Sequence, residues 1–145
     1  MREPDCLFCQ IEQGEADGFV VLEGKHTFAF LDIRPVFPGH VLLVPRDHYE
    51  TLPDIPPELF VPLMADAQLL ARAVVDGLGA EGSFVAINNR VSQSVPHLHI
   101  HVVPRTHGDG LRGFFWPRHP YDDDAEARNV QERLRAAVDR LKADD

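Results

Sequence analysis

Apolar residues along this chain fall in short runs cut by proline, glycine and charge, and only two stretches carry them at helical spacing. Phe19 to Glu23 and Thr27 to Ile33 are rich in β-branched and aromatic residues and meet at Gly24-Lys25, the pattern of two strands joined by a turn. Arg34 to Gly39 holds two prolines and a glycine, which stop either regular structure. His40 to Pro45 reads as a third strand closed by its proline, Ser83 to Asn88 as a fourth and His97 to Val103 as a fifth. Between the third and fourth, Leu59, Leu63, Leu70, Val74 and Leu78 recur at the helical period. That helix runs from Pro57, where a missing N–H costs nothing, to Leu78, with Gly77 and Gly79 supplying the stop and Pro62 absorbed near its start.

Gly108 to Pro120 is rich in glycine, proline and aromatics and reads as an ordered loop. Asp122, Asp123 or Asp124 then caps a last helix, on which Val130, Leu134, Ala137, Val138 and Leu141 form one apolar stripe. Strands on both sides of one long helix predict an α+β fold with a mostly antiparallel sheet.

Size and charge narrow the field. A chain of 145 residues is one ordinary domain with room for a real core, and 44% hydrophobic with 26% charged residues is a globular composition. A formal net charge of -9 argues against binding a nucleic-acid polymer or an anionic membrane, though not against a small phosphorylated ligand. No apolar run approaches the roughly 20 residues that span a bilayer, and no signal pattern opens the chain, so a cytoplasmic location is expected. The two cysteines stand together as Cys6-Leu7-Phe8-Cys9, a spacing that suits metal binding or redox chemistry better than a structural disulfide.

The fifth strand changes the picture most. Three of the eight histidines, His97, His99 and His101, alternate there with Leu98, Ile100 and Val102. Alternation places the imidazoles on one face and the aliphatics on the other, and the aliphatic face is core. A solvated face would not require three histidines in register. Two readings remain: an HxH metal pair, since i and i+2 lie about 6.5–7 Å apart, or separate tasks in which one neutral imidazole is a nucleophile and a neighbour binds phosphate. Spacing alone does not choose.

The surrounding segments do. His97-Leu98-His99-Ile100-His101-Val102-Val103 resembles the signature of the histidine triad (HIT) superfamily of nucleotide hydrolases and transferases at every position. "CLFCQIEQGE" from Cys6, "AFLDIRPVFPGHVLLVPRDH" from Ala29, "SQSV" from Ser92 and "PRTHGD" from Pro104 follow in family order, so the resemblance covers roughly residues 5 to 110. It implies an α+β fold with a five-stranded antiparallel sheet, one long helix and, usually, a homodimer. Residues 1–110 are expected to form the HIT domain. Residues 111–145 are expected to form a C-terminal extension, an aromatic loop plus a helix, packed on it.

By the same resemblance His99 is the nucleophile that attacks the α-phosphorus of a purine nucleoside 5′-phosphate derivative, a phosphoramidate or a dinucleoside polyphosphate, to form a nucleotidyl-histidine intermediate. His101 binds phosphate, and Ser94 contacts phosphate or assists the leaving group. Asp32 accepts from the ribose hydroxyls, Ile33 walls the base, Asn88 lies near the scissile phosphate and Gln93 sits in the turn feeding the phosphate pocket. Cys6, Cys9, His48 and His97 match a closed Cys2His2 zinc site, structural in role, and no organic cofactor is implied.

Where the family usually has glycine before the glutamine this chain has Ser92, and the turn from Asn88 to Gln93 is shorter than in many relatives. Glycine reaches φ > 0 freely and serine does not, so an altered phosphate pocket and substrate preference are expected. In the tail, Arg112, Trp116, Arg118 and Tyr121 suit contacts to a second phosphate or leaving group, while Phe114, Phe115 and Trp116 suit packing. Two further functions compete with the hydrolase: a purine-nucleotide-binding regulatory protein with little turnover, and a cupin-like iron oxygenase. The long helix speaks against the oxygenase.

Overall fold

A computed structural model describes residues 2–112 and 117–143; Phe114, Phe115 and Trp116 lie outside the described residues. In chain order the elements are α1 (Leu7–Glu12), β1 (Val20–Glu23), β2 (Thr27–Leu31), β3 (Val41–Pro45), a 3-10 turn (Leu52–Asp54), α2 (Pro57–Leu78), β4 (Gly82–Ile87), β5 (Ile100–Arg105) and α3 (Asp124–Ala143). They divide into two units, Met1–Asp109 and Gly110–Asp145. The five strands form one antiparallel sheet in the order β1-β2-β3-β5-β4.

Alternation along the central strands sorts their side chains between two cores. Ala29, Val41, Leu43, Ile100 and Val102 pack with Leu63, Ala67, Leu70 and Val74 of α2. Phe28, Phe30, Leu42 and Val44 point the other way and pack with Cys6, Phe8 and Cys9 around α1. A sheet covered on both faces explains why β2 and β3 read as unbroken apolar runs. α2 keeps its predicted bounds and passes through Pro62. Gly79, at φ +72°, ends it by giving its N–H to Val75, and Ala80 bonds back to Val74.

The fifth strand departs from expectation. It begins at Ile100 rather than His97. Ahead of it the Leu98 N–H bonds Tyr49 O (2.6 Å), and the carbonyl of Pro45, the last residue of β3, accepts from His97 Nε2 (3.0 Å). The ladder therefore gives out, and His97 and His99 lie on an irregular lead-in. α1 follows directly from Cys6 and has no counterpart in the sequence pattern, being six residues long. In the second unit, Asp123 is the residue that caps α3, its Oδ1 accepting from the Glu126 N–H (2.8 Å). No helix among the described residues is long and apolar enough to cross a membrane.

Candidate functional site

Two centres share the wall formed by α1. The first gathers Cys6, Cys9, His48 and His97, whose ligand atoms all lie within 4.8 Å of one another. Cys6 Sγ is 3.4 Å from His97 Nδ1, and Cys9 Sγ is 3.5 Å from Nδ1 of both His48 and His97. A tetrahedral ion with Zn–S of ~2.3 Å and Zn–N of ~2.0 Å requires S···N edges of about 3.5 Å, so the four residues fit a metal. The tautomer fits as well. His97 Nε2 faces the Pro45 carbonyl and must donate to it, which leaves the lone pair on Nδ1, toward the sulfurs. Burial lowers the His97 pKa to about 4, so this ring is neutral. Burial raises the Cys9 thiol, partly offset by the Glu3 N–H that donates to its sulfur (3.4 Å).

The second centre is a cavity of about 640 Å³. Leu7, Phe8 and Ile11 of α1 form one wall; Phe30, Leu31 and Leu42 of the sheet form another. Asp32, Ile33, Ser94, His99 and His101 also line it, which brings together five of the seven residues expected to bind a nucleotide. Asn88 and Gln93 are not among the lining residues. The Gln93 amide is committed to the backbone, its Oε1 accepting from Arg90 N–H (2.7 Å) and its Nε2 donating to Glu50 O (2.6 Å). It braces the loop that carries Ser94. Within that loop Arg90 and Ser92 have φ of +68° and +61°, so Ser92 adopts the left-handed conformation that glycine would take without strain.

The histidines in the cavity have defined proton positions. His99 Nδ1 lies 2.7 Å from the carbonyl of His97 and donates to it, leaving Nε2 as the lone pair. Phe8 packs edge-on against this ring at 5.0 Å. Burial lowers the His99 pKa below its ordinary value, so the lone pair is available at neutral pH.

His40 is the functional residue that sequence reasoning missed. It is buried just ahead of β3, with Nε2 2.9 Å from His101 Nδ1. The Val36 N–H donates to His40 Nδ1 (3.1 Å), so the neutral ring carries its proton on Nε2 and gives it to His101 Nδ1. His101 then holds its own proton on Nε2, a buried atom with no hydrogen-bond partner among the described residues. Burial lowers the pKa of both rings, that of His101 to about 4. Asp32 stands beside the pair, Oδ2 at 3.7 Å from His40 Nδ1, while its Oδ1 accepts from the Arg34 N–H (2.9 Å). The register Leu42↔His101 would have exposed this pairing, but strand order cannot be read from one sequence.

A family model described as the HIT domain matches residues 13–108. An uncharacterised HIT-like protein of Mycobacterium tuberculosis is 38% identical over 134 residues, covering 89% of this chain and 92% of that one. The adenosine 5′-monophosphoramidase of Saccharomyces cerevisiae is 34% identical, over 89% of this chain and 80% of its own. Among solved structures, a zinc-bound histidine triad family protein from Mycobacterium smegmatis superposes with a TM-score of 0.71 at 37% identity, covering 97% of this chain and 98% of that one.

Proposed function

Since this chain belongs to the HIT domain family, we propose that it is a nucleotidyl hydrolase or transferase acting on a purine nucleoside 5′-phosphate derivative, either a phosphoramidate or a dinucleoside polyphosphate. The observation that carries this reading is the complementary protonation of the two cavity histidines. His99 offers a lone pair on Nε2, and His101 offers an unpaired Nε2–H. A nucleophile needs the first and a developing phosphoryl charge needs the second.

In this reading His99 Nε2 attacks the α-phosphorus. A P–N bond forms, the bond to the amine or phosphate leaving group breaks, and the leaving group takes up a proton from water as it departs. The His101 Nε2–H donates to a phosphoryl oxygen, and Ser94, on the same cavity wall, contacts the phosphate or the leaving group. Water or another acceptor then attacks the nucleotidyl-histidine, releasing the nucleoside monophosphate and restoring neutral His99. Asp32 holds the ribose hydroxyls and Ile33 covers the base.

Zinc in the Cys6, Cys9, His48 and His97 site would serve as a staple, not as a Lewis acid. These residues turn α1 toward the cavity and orient the lead-in to His99 through the shared His97. A homodimer belongs to the same reading. β4 is an edge strand with Val85 exposed, and α2 leaves Phe60 and Val61 exposed, an apolar surface suited to a second copy.

The test is mass spectrometry of the intact protein after rapid quenching with an adenosine or guanosine phosphoramidate. The expected result is a mass gain of one nucleoside monophosphate that is absent in His99→Ala, together with loss of turnover. Equal turnover by wild type and His99→Ala would overturn the enzyme reading in favour of a nucleotide-binding protein.

A further inference from the structure

One row of residues crosses four strands. His101 on β5 pairs with Leu42 on β3, Leu42 with Phe30 on β2, and Phe30 with Val20 on β1. Directly opposed residues share a face of the sheet, and His101, Leu42 and Phe30 all line the cavity. Three strand spacings of ~4.8 Å carry this row about 14 Å from the histidine to β1, the reach of a mononucleotide laid across the sheet. Chemistry along the row is graded. Ser94, His99 and His101 stand at the β5 end, and the middle is walled by aromatic and aliphatic side chains. The β1 end is formed by Asp17, Gly18 and Phe19, and Asp17 is the one acidic residue in the lining besides Asp32.

Asp17 is exposed, but its backbone is held on both sides. Ala16 N–H donates to Gln10 O (3.2 Å), and Phe19 O accepts from Leu31 N–H (2.9 Å). Between them Gly18 runs flush against α1, where a Cβ would come within 2.7 Å of Ile11 Cγ2. The backbone that carries Asp17 is therefore held at the β1 end of the cavity, about 14 Å from His101.

We propose that Asp17 reads the edge of the base and makes the site selective for guanine over adenine. This rests on the nucleotide reading above and assigns it a base. A carboxylate only accepts hydrogen bonds. Guanine presents adjacent N1–H and N2–H donors, which two carboxylate oxygens accept together. Hypoxanthine keeps N1–H alone. Adenine places an N6–H donor beside the N1 lone pair, and that lone pair repels the carboxylate. Affinity should fall in the order GMP, IMP, AMP, with about a tenfold interval between first and last.

Calorimetric titration of the full chain with the three monophosphates tests this, in wild type, Asp17→Asn and Asp17→Ala, with a thermal melt confirming that each variant folds. The expected result is the stated order in wild type and a GMP-to-AMP ratio that collapses toward one in both variants. AMP bound as tightly as GMP by wild type, or a ratio unchanged in the variants, overturns the role of Asp17 while leaving the nucleotide reading intact. Failure of all three to bind overturns that reading and this inference with it.

Discussion

His40 Nε2 stands 2.9 Å from His101 Nδ1, and this single contact decides which nitrogen of His101 carries a proton. The Val36 amide fixes the His40 tautomer, and His40 fixes that of His101 in turn. His40 is thus a positioning residue that keeps a donor on His101 Nε2. Replacing it with alanine should lower kcat by about 10- to 100-fold, with a smaller effect on KM, because the lost interaction matters most as phosphoryl charge develops. His40→Asn, which retains an N–H donor, should recover part of the loss. Steady-state kinetics on the three proteins checks this; a change confined to KM would assign His40 to ground-state binding alone.

The partly buried His101 ring sets a pH dependence of stability. His101 titrates at about 4 in the fold, lowered by burial and then by His99 and His40, with Asp32 opposing. Its unfolded value is near 6.5. Between those values the unfolded chain binds the extra proton, so stability falls as pH drops from about 6.5 to about 4 and levels off below. At ~1.4 kcal/mol per pKa unit the full effect is on the order of 3 kcal/mol. Urea unfolding at pH 7.5, 6 and 5 should show wild type losing stability faster than His101→Gln. Parallel losses would mean that His101 does not remain neutral in the fold.

Ser92 holds φ at +61° in the loop that presents Ser94. Left-handed geometry costs an ordinary residue ~1–2 kcal/mol, and glycine gives back ~0.5–1 kcal/mol of that in its larger entropy loss. Ser92→Gly should therefore stabilise the chain by about 0.5–1 kcal/mol and raise Tm by roughly 1.5–3.5 °C. Ser92→Val should do the opposite, since a β-branched side chain fits this region worst. Calorimetry of both variants decides, and a lower Tm for the glycine variant would contradict the strained geometry.

Much of this was legible in the sequence where one local rule governed. Thr27 to Leu31 and Val41 to Pro45 read as strands because both faces of the sheet are covered, and α2 read correctly because apolar spacing, entry proline and stop glycine agree. His99 and His101 stood out by alternation. Where long-range pairing decides, the sequence was silent. His40 lies 61 residues from His101, and only the β3–β5 register joins them. Side-chain bonds that end a ladder, such as His97 to Pro45, leave no periodic mark, so β5 was started too early. The resemblance puts Gln93 in the turn feeding the phosphate pocket, but that its amide is bound to Glu50 and Arg90 leaves no mark in the sequence.

α1 offers the last prediction, because it belongs to both centres. A helix of six residues cannot sustain itself in water, so its position depends on what holds its ends. At one end Cys6 and Cys9 meet His48 and His97. At the other, Glu12 accepts from Arg46 (2.6 Å) and Arg2 (2.7 Å), and Arg46 Nε donates to Gly24 O. Between them Leu7, Phe8 and Ile11 wall the cavity. A metal bound only by the folded chain adds stability in proportion to the logarithm of its concentration over Kd, so chelation should lower Tm, and added zinc should restore it. Because one anchor of the wall is then lost, nucleoside monophosphate affinity should fall with it, by about tenfold if the freed end costs ~1.4 kcal/mol to reorder on binding. Glu12→Gln releases the opposite anchor and should weaken nucleotide binding while bound zinc, measured by elemental analysis, is unchanged. Nucleotide binding that is equally tight in the metal-free chain and in Glu12→Gln would show that sheet packing alone holds α1 in place.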